Sequence, residues 1–429
     1  MSAAEQSFAA QLERAAAGGP AFVGALRAAG RETFLRVGLP TPRHEDWRYT
    51  SLAPIAERSW ARAPAAAAIG HAELPPAPRL VLVDGRVDAA ASDLAGLAAG
   101  VRVGSLAAAL RERPGDLEPL LGRIATTPDH AFLALNGALF EDGALVEIAD
   151  GVVQDLPIHL LSLTTADVPT AVHPRNLVIA GRASRATVVE TYRGRGPYLV
   201  NAVTEAALGE GARVEHDRIQ EEDGAAFHLG LLQVRQAAGS RLLGQSVALG
   251  TRLARVEARA LLAGEEAACD LHGLYVGGGT QVLDHLVHVD HASPRCTSRE
   301  VFKGVLDGAS RGVFAGRITV REGAQKTDAG QVNSNLLLSR DATIDTKPQL
   351  EILADDVKCS HGGSVGQLRE DQLFYLRSRG VGEALARAML TWAFASDMVQ
   401  RVGPEEVRAR VRRAVTARLP SGELLREAA

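Results

Sequence analysis

The hydrophobic pattern predicts helices at both ends of the chain and a long strand-rich segment between them. In residues 1–62, apolar residues recur at roughly helical spacing and alanine is abundant. Residues 63–78 combine proline with low complexity, which discourages regular structure. We therefore predict an N-terminal helical region and linker over 1–78. A mixed α/β region follows over 79–156, with a strand near 80–83 and short helices near 104–112 and 115–122.

The pattern changes between 157 and 365. Short runs of Val, Leu and Ile alternate with glycine-containing turns. A loose cassette, in which small and apolar residues precede an acid, recurs at 186–190, 212–215, 254–257, 267–270 and 342–345. Many short strands with frequent turns indicate a sandwich, a barrel or a solenoid, and the recurrence favours a stacked parallel β-helix. An aromatic content of 4% agrees, because solenoid interiors stack small aliphatic side chains.

Helical spacing returns in the C-terminal region, 366–429. A proline at 404 followed by two acids indicates a helix start, because acids suit the positive end of the helix dipole. Val407, Val411, Val415 and Leu419 then follow at strict i+4 spacing, and Trp392 lies on a stripe of the preceding helix. Such a stripe fits packing within the domain, and it also fits a docking face for a partner.

Composition restricts the class of protein. The chain has 429 residues, which suggests two or three units, and its formal net charge of −4 gives no electrostatic case for binding nucleic acid or an anionic membrane. Three widely spaced cysteines argue against a disulfide framework. The N-terminus lacks the apolar core of a secretory signal, and no uncharged run is long enough to span a bilayer. We therefore expect a cytoplasmic protein.

The strongest candidates for metal binding are the thiol of Cys359 and the imidazole of His361. Residues two apart on a strand point to the same face, so the thiol and the imidazole lie side by side. This pair suits zinc, copper or iron–sulfur chemistry better than magnesium or calcium. Two ligands do not complete a metal site, so a metal here would be shared or completed by a partner. Without further information, His361 also fits a surface histidine, and Cys359 fits a small buried side chain.

A group of four histidines is a weaker candidate for a metal site. His272, His285, His288 and His291 lie within 20 residues of each other. However, His285 and His288 are three apart, which places them on opposite faces of a strand, and no Cys or Glu stands at ligand spacing. We interpret this group as polar residues on the solenoid surface.

Three blocks of sequence resemble the SufD family, whose members are subunits of the Suf iron–sulfur cluster assembly complex. The C-terminal block comprises TKPQLE (346–351), ADDVKCSHG (354–362) and DQLFYLRSRG (371–380). The upstream block comprises FKG (302–304), FAG (314–316) and AQKTDAGQVNSNLLLS (324–339). The N-terminal block is PRHEDWRYT (42–50), in which Trp47 is expected to anchor the N-terminal segment on the core.

The resemblance implies a fold and a set of partners. The family core is a right-handed parallel β-helix, so the expected fold is mainly β with helical regions on both sides. The chain would be a non-enzymatic scaffold that pairs with a SufB-type paralogue and a SufC-type ABC ATPase, and that forms a modest homodimer when the partner is absent. An iron atom or an iron–sulfur cluster would be bound transiently and shared with the paralogue. Reduced flavin is linked to the family's complex, and the sequence leaves open whether flavin contacts this chain.

The resemblance also assigns residues. The SufB-type subunit carries an essential cysteine in the stretch that corresponds to 340–346, and this chain has none there, which selects the SufD role. His361 is then the expected iron or cluster ligand, and Cys359 is a weaker candidate. The open end of a β-helix presents unpaired backbone groups that favour pairing with a partner, so the partner interface is expected at Thr346, Lys347, Gln349 and Glu351. The apolar stripes of the C-terminal helices give the expected ATPase-docking face at Trp392, Val407 and Val411.

The alternative is a β-helical polysaccharide lyase or hydrolase. Such enzymes need a groove of paired carboxylates, usually with aromatic or arginine subsites, and they are secreted proteins. The absence of an export signal and the few aromatic residues argue against that class.

Overall fold

The computed structural model describes residues 1–14, 18–64 and 73–427. Residues 65–72, half of the predicted linker over 63–78, lie outside the described residues. The helices are α1 (Ala3–Arg14), α2 (Ala21–Val37), α3 (Ala53–Ala56), α4 (Leu106–Glu112), α5 (Pro114–Leu117), α6 (Ala131–Leu139), α7 (Glu370–Ser378), α8 (Glu383–Gln400), α9 (Glu405–Thr416) and α10 (Leu424–Glu427), with a 3₁₀ helix at Glu45–Trp47. None of these helices is long and apolar enough to cross a membrane.

The strands fall into a short early set and a longer regular set. The early strands are β1 (Ala61–Arg62), β2 (Arg79–Val83), β3 (Arg86–Asp93), β4 (Val101–Ser105), β5 (Ala144–Ile148), β6 (Ile158–Thr165), β7 (Thr170–Val172) and β8 (Arg175–Ala180). The later strands are β9 (Arg185–Arg195), β10 (Tyr198–Leu208), β11 (Arg213–Gln220), β12 (Phe227–Gln236), β13 (Arg241–Ala248), β14 (Leu253–Leu262), β15 (Ala268–Gly277), β16 (Val282–His291), β17 (Thr297–Leu306), β18 (Arg311–Val320), β19 (Asp328–Leu337), β20 (Thr343–Ile352) and β21 (Lys358–Gly366).

From β8 onwards, consecutive strands alternate between two sheets, which makes the core a parallel β-solenoid. One sheet runs β20-β18-β16-β14-β12-β10-β8-β5-β4, with β7 and β1 attached beside β10. The other runs β21-β19-β17-β15-β13-β11-β9-β6-β2-β3. Pairings along both sheets are parallel except β2–β3 and β4–β5. The predicted β-helix is therefore confirmed, and the parallel sheets already begin in the 79–156 region through β2 and β5.

Side chains of alternating positions fill the interior between the sheets. Most of this core is Leu, Val and Ala contributed by both sheets. The low aromatic content follows from this geometry, because each interior position stacks directly on the equivalent position of the next turn and small branched side chains fit that spacing.

Helices cover the outer face of each sheet. On the β10–β12–β14 face, Phe8, Phe34, Trp47 and Trp60 of the N-terminal region pack on outward-facing strand residues. The Trp47 anchor is confirmed: its ring is 8% exposed, and the Arg255 guanidinium lies 4.0 Å from its centroid. The C-terminal helices α8 and α9 cover the outer face of the other sheet.

Candidate functional site

The solenoid ends in two edge strands, β20 and β21. Each is bonded on one side only, β20 to β18 and β21 to β19. Within the described ranges, no further strand covers their outer edges. An edge of this kind presents unpaired backbone N–H and C=O groups, which favour the addition of another strand.

Cys359 and His361 lie on β21 and face the solenoid interior. Their partners in the preceding turn are Ala329 and Gln331, which are buried at 2% and 1% exposure. The last turn has no further turn above it, so the same interior positions are uncovered there. Cys359 is half-buried and His361 is exposed. The structure thus presents an imidazole and a thiol together at the open end of the core.

The two side chains differ in their readiness to bind a metal. Cys359 packs beside Leu350 and Val357 against a small apolar cluster. Burial, together with the nearby Asp328 carboxylate, raises the pKa of the Cys359 thiol. Since the thiolate is the metal-binding form, this environment makes Cys359 the weaker ligand. Histidine binds metals through a neutral ring nitrogen, so His361 offers a nitrogen donor at this position.

These two donors do not form a complete metal site. Among the described residues, no group of three or more His, Cys, Asp and Glu side chains is placed to hold a metal ion. The nearby Asp356 carboxylate is already paired with Lys326. A metal or cluster at His361 would therefore need ligands that this part of the chain does not supply.

The predicted interface residues all lie on β20, but they face two directions. Thr346 points inward, and its buried Oγ1 has no hydrogen-bond partner in the described part of the chain. Lys347, Gln349 and Glu351 point outward. Lys347 pairs with Glu45 of the N-terminal segment, and Gln349 accepts a 3.4 Å hydrogen bond from Arg317 Nη2. The N-terminal segment thus reaches the last turn of the solenoid, a contact that the sequence did not predict.

Comparison with known proteins identifies the family. Residues 162–394 match the family model described as "SUF system FeS cluster assembly, SufBD core domain", and residues 76–160 match "SufBD protein N-terminal region". The chain belongs to the SufBD family.

Curated relatives of this SufBD protein cover most of its length. It is 34% identical to an iron–sulfur cluster assembly SufBD family protein of Synechocystis, over 89% of this chain and 87% of the relative. It is 29% identical to the iron–sulfur cluster assembly protein SufD of Escherichia coli, over 91% of this chain and 92% of the relative. It is also 29% identical to the protein "ABCI7, chloroplastic" of Arabidopsis thaliana, over 90% of this chain and 84% of the relative. The protein is therefore a SufD-like member of an iron–sulfur cluster assembly family.

The structure corrects the docking face expected in this SufBD protein at Val407 and Val411. Their side chains are 5% and 0% exposed, and together with Val415 and Leu419 they pack against the outward-facing residues of β9, β11, β13, β15 and β17. The regular i+4 stripe is therefore packing within the chain. Trp392 is half-buried at the margin of the same cluster.

The histidine group is also placed differently from the prediction. His285 and His291 are interior residues, at 1% and 0% exposure, and His272 is buried at 7%. Burial lowers the pKa of His285 to about 3 and the pKa of His291 to about 4, so both rings are neutral. Each ring lies within hydrogen-bonding distance of a hydroxyl group. His285 Nε2 is 3.3 Å from Ser246 Oγ, and His291 Nε2 is 2.9 Å from Ser298 Oγ. His285 and His291 are buried core residues, so the interpretation as surface polarity is wrong for these two, whereas His288 faces outward and is half-buried.

A polar column below His361 was missed by sequence reasoning. Glu300, Gln331 and His361 occupy equivalent positions in three successive turns of β17, β19 and β21. Glu300 is fully buried, and neither of its carboxyl oxygens has a hydrogen-bond partner in the described ranges. Burial raises the pKa of Glu300 to about 8. Finding this column requires the register between turns, which the sequence does not display.

Proposed function

We propose that this SufBD-family protein is a SufD-type, non-enzymatic scaffold subunit. It pairs with a SufB-type paralogue and with a SufC-type ABC ATPase, and the complex builds and transfers iron–sulfur clusters in the cytoplasm. His361 supplies an imidazole to the iron or the nascent cluster, which is the cargo of the complex. The observation that carries the proposal is the exposed His361 on an edge strand of a SufBD core.

The incomplete donor set supports shared ligation. One imidazole and one weakly ionised thiol bind iron too poorly to retain it, and a second chain would supply the thiolates that iron–sulfur chemistry prefers. A labile and shared site suits a scaffold, because the cluster must leave after it forms. Supply of iron to the complex follows from the same site, since a nitrogen donor can hold iron before sulfur arrives. Any contact of reduced flavin with the complex would be additional to this chemistry.

The open edges of β20 and β21 support the proposed pairing. Strand addition supplies backbone hydrogen bonds across an interface, and side chains on alternate positions supply specificity. The paralogue would continue both sheets, which brings its own ligands beside Cys359 and His361. Without the paralogue, a second copy of this chain can occupy the same edges and give a modest homodimer.

Crosslinking from β20 tests this arrangement. Gln349→Cys and Glu351→Cys, in a Cys359→Ser background and labelled with a photoreactive maleimide, should each capture the SufB-type paralogue in the assembled complex. Cys269 and Cys296 are buried, which protects them from the label. Mass spectrometry of the crosslinked peptides gives the contact positions.

Arg235→Cys is the matched control for this experiment. Arg235 is exposed and occupies the same outward column as Glu351, four strands away along the sheet. It should give no capture of the paralogue. Capture from the N-terminal helical region alone, with none from positions 349 and 351, would contradict pairing through the edge strands.

The proposed ATPase contact is assigned to α7 instead of the buried valines of α9. Phe374 and Tyr375 of α7 are 75% and 58% exposed, and Met389 of α8 is 37% exposed. Exposed aromatic residues of this kind are typical anchors of protein interfaces. They lie in the DQLFYLRSRG block that resembles the family signature.

Charge substitution on α7 tests the assignment. Phe374→Asp and Tyr375→Asp should each weaken binding of the ATPase by about tenfold or more, because an anchor residue carries on the order of 2 kcal/mol. Leu35→Asp, at a 50% exposed leucine of α2, is the matched control and should bind normally. Affinity is measured by calorimetry with purified ATPase. Wild-type affinity in both α7 variants would move the contact to another surface.

A further inference from the structure

A second possible binding site lies far from the edge strands. A cavity of about 530 Å³ is lined by α1, the C-terminal end of α6, the β2–β3 turn and β7. β2 and β7 belong to the first turns of the solenoid, at the opposite end of the sheets from β20 and β21. The volume lies within the range of about 300–1,000 Å³ that is typical of small-molecule sites.

The charged residues around this cavity favour an anion. The described lining carries four guanidinium groups and two carboxylates, from Arg14, Arg27, Arg62, Arg86, Asp84 and Glu141. Glu141 is shared between two of the arginines: Arg62 is paired with it, and Arg86 Nη2 lies 2.6 Å from its Oε2. The described lining thus carries more guanidinium groups than carboxylates, which gives it a net positive formal charge. Guanidinium groups bind phosphate and carboxylate groups through paired hydrogen bonds.

Two buried polar atoms in the lining have no partner. His173 is 8% exposed, and Asn201 Nδ2, which donates to the Phe132 carbonyl, lies 3.1 Å from His173 Nδ1. Nδ1 is therefore the acceptor. Burial lowers the pKa of His173 to about 4, so the neutral ring carries its proton on Nε2. That Nε2–H, and the buried Asp84 Oδ1, have no hydrogen-bond partner among the described residues.

A buried donor and a buried acceptor without partners are each costly unless a ligand pairs with them. A hydroxyl group can do this, because it accepts a hydrogen bond from His173 and donates one to Asp84. The remaining lining includes the aromatic rings of Trp60 and Phe140 and the side chain of Val172, which provide an apolar wall. A bare inorganic ion would leave this wall and the two polar atoms unused.

We propose that this cavity binds a small organic anion, with a phosphate or carboxylate held by the arginines and a hydroxyl group held by His173 and Asp84. The site is independent of the proposed function, since it shares no residue with the edge strands. A ligand bound there would lie at the first turns of the solenoid, at the opposite end of the sheets from His361.

Titration calorimetry on the full chain tests the proposal with three probes: AMP, citrate and inorganic phosphate. AMP represents the organic phosphates, and citrate represents the hydroxycarboxylates. At least one of these two should bind with a Kd below about 1 mM and more tightly than inorganic phosphate. Failure of both to bind, or binding of inorganic phosphate at least as tightly as the tighter of the two, would overturn the proposal.

Variants locate the binding. Arg62→Gln should weaken binding of the tighter probe by about tenfold, because it removes one charge-assisted contact. Arg182→Gln, at an exposed arginine paired with Asp150, is the matched control and should bind as the unmodified chain does. Asp84→Asn tests the hydroxyl contact and preserves the turn, because asparagine tolerates the positive φ of 51° at this position. Unchanged affinity in Arg62→Gln, or an equal loss in Arg182→Gln, would overturn the assignment.

Discussion

Replacing His361 with alanine should abolish or strongly reduce cluster formation while the chain still folds and still assembles with its partners. The side chain is exposed on the last strand, so its removal leaves no cavity and no unpaired buried group. Alanine offers iron no donor. Changes to groups that only support a ligand typically cost about 10–100-fold in metal affinity, so loss of the ligand should exceed about tenfold. Cluster content of the purified complex, measured by its visible absorbance and its iron and sulfide content, gives the readout.

Two variants of the same strand are the controls for His361→Ala. Ser360→Ala changes an exposed neighbour that faces away from the interior, and it should leave cluster content unchanged. Cys359→Ser should have an intermediate effect, because burial already disfavours its thiolate. Normal cluster content in a stable His361→Ala complex would contradict the role of His361 as a ligand.

The sequence predicted the solenoid and the adjacency of Cys359 and His361 from local patterns that need no knowledge of tertiary contacts. The solenoid follows from the recurrence of short strands and turns, and the adjacency follows from the two-residue period of a strand. Short strands with glycine turns repeat along the chain, and the thiol and imidazole are two residues apart within one of them. The exposure of His361 at the end of the core follows from its position in the last strand before the helices.

Other features depend on contacts between distant segments, and the sequence alone could not provide them. The i+4 stripe at Val407 and Val411 predicts an apolar face but carries no information about what covers it. The burial of His285 depends on the register of β16 against its neighbours, since a shift of one residue reverses the direction of every side chain. The pairing of Lys347 with Glu45 joins residues 302 positions apart.

The substitution Val411→Asp should unfold the C-terminal helices, even in the isolated chain. Val411 is fully buried between α9 and the outer face of the sheet, and the aspartate would place an unpaired carboxylate in that apolar contact. The loss of valine packing and the desolvation of the acid together should lower the free energy of unfolding by on the order of 3 kcal/mol. Urea unfolding followed by circular dichroism measures this change without any partner present.

Arg413→Asp, two residues further along α9, is the control because its side chain is exposed. An acid near the C-terminal end of a helix is unfavourable by less than about 1 kcal/mol. The two variants should therefore differ clearly in urea midpoint. If Val411→Asp instead has the urea midpoint of the unmodified chain and loses only its binding to the ATPase, α9 does not pack on the sheet. The docking surface then includes the valine stripe. If it is unstable alone, loss of ATPase binding in this variant reports unfolding, and the contact must be mapped with Phe374→Asp and Tyr375→Asp.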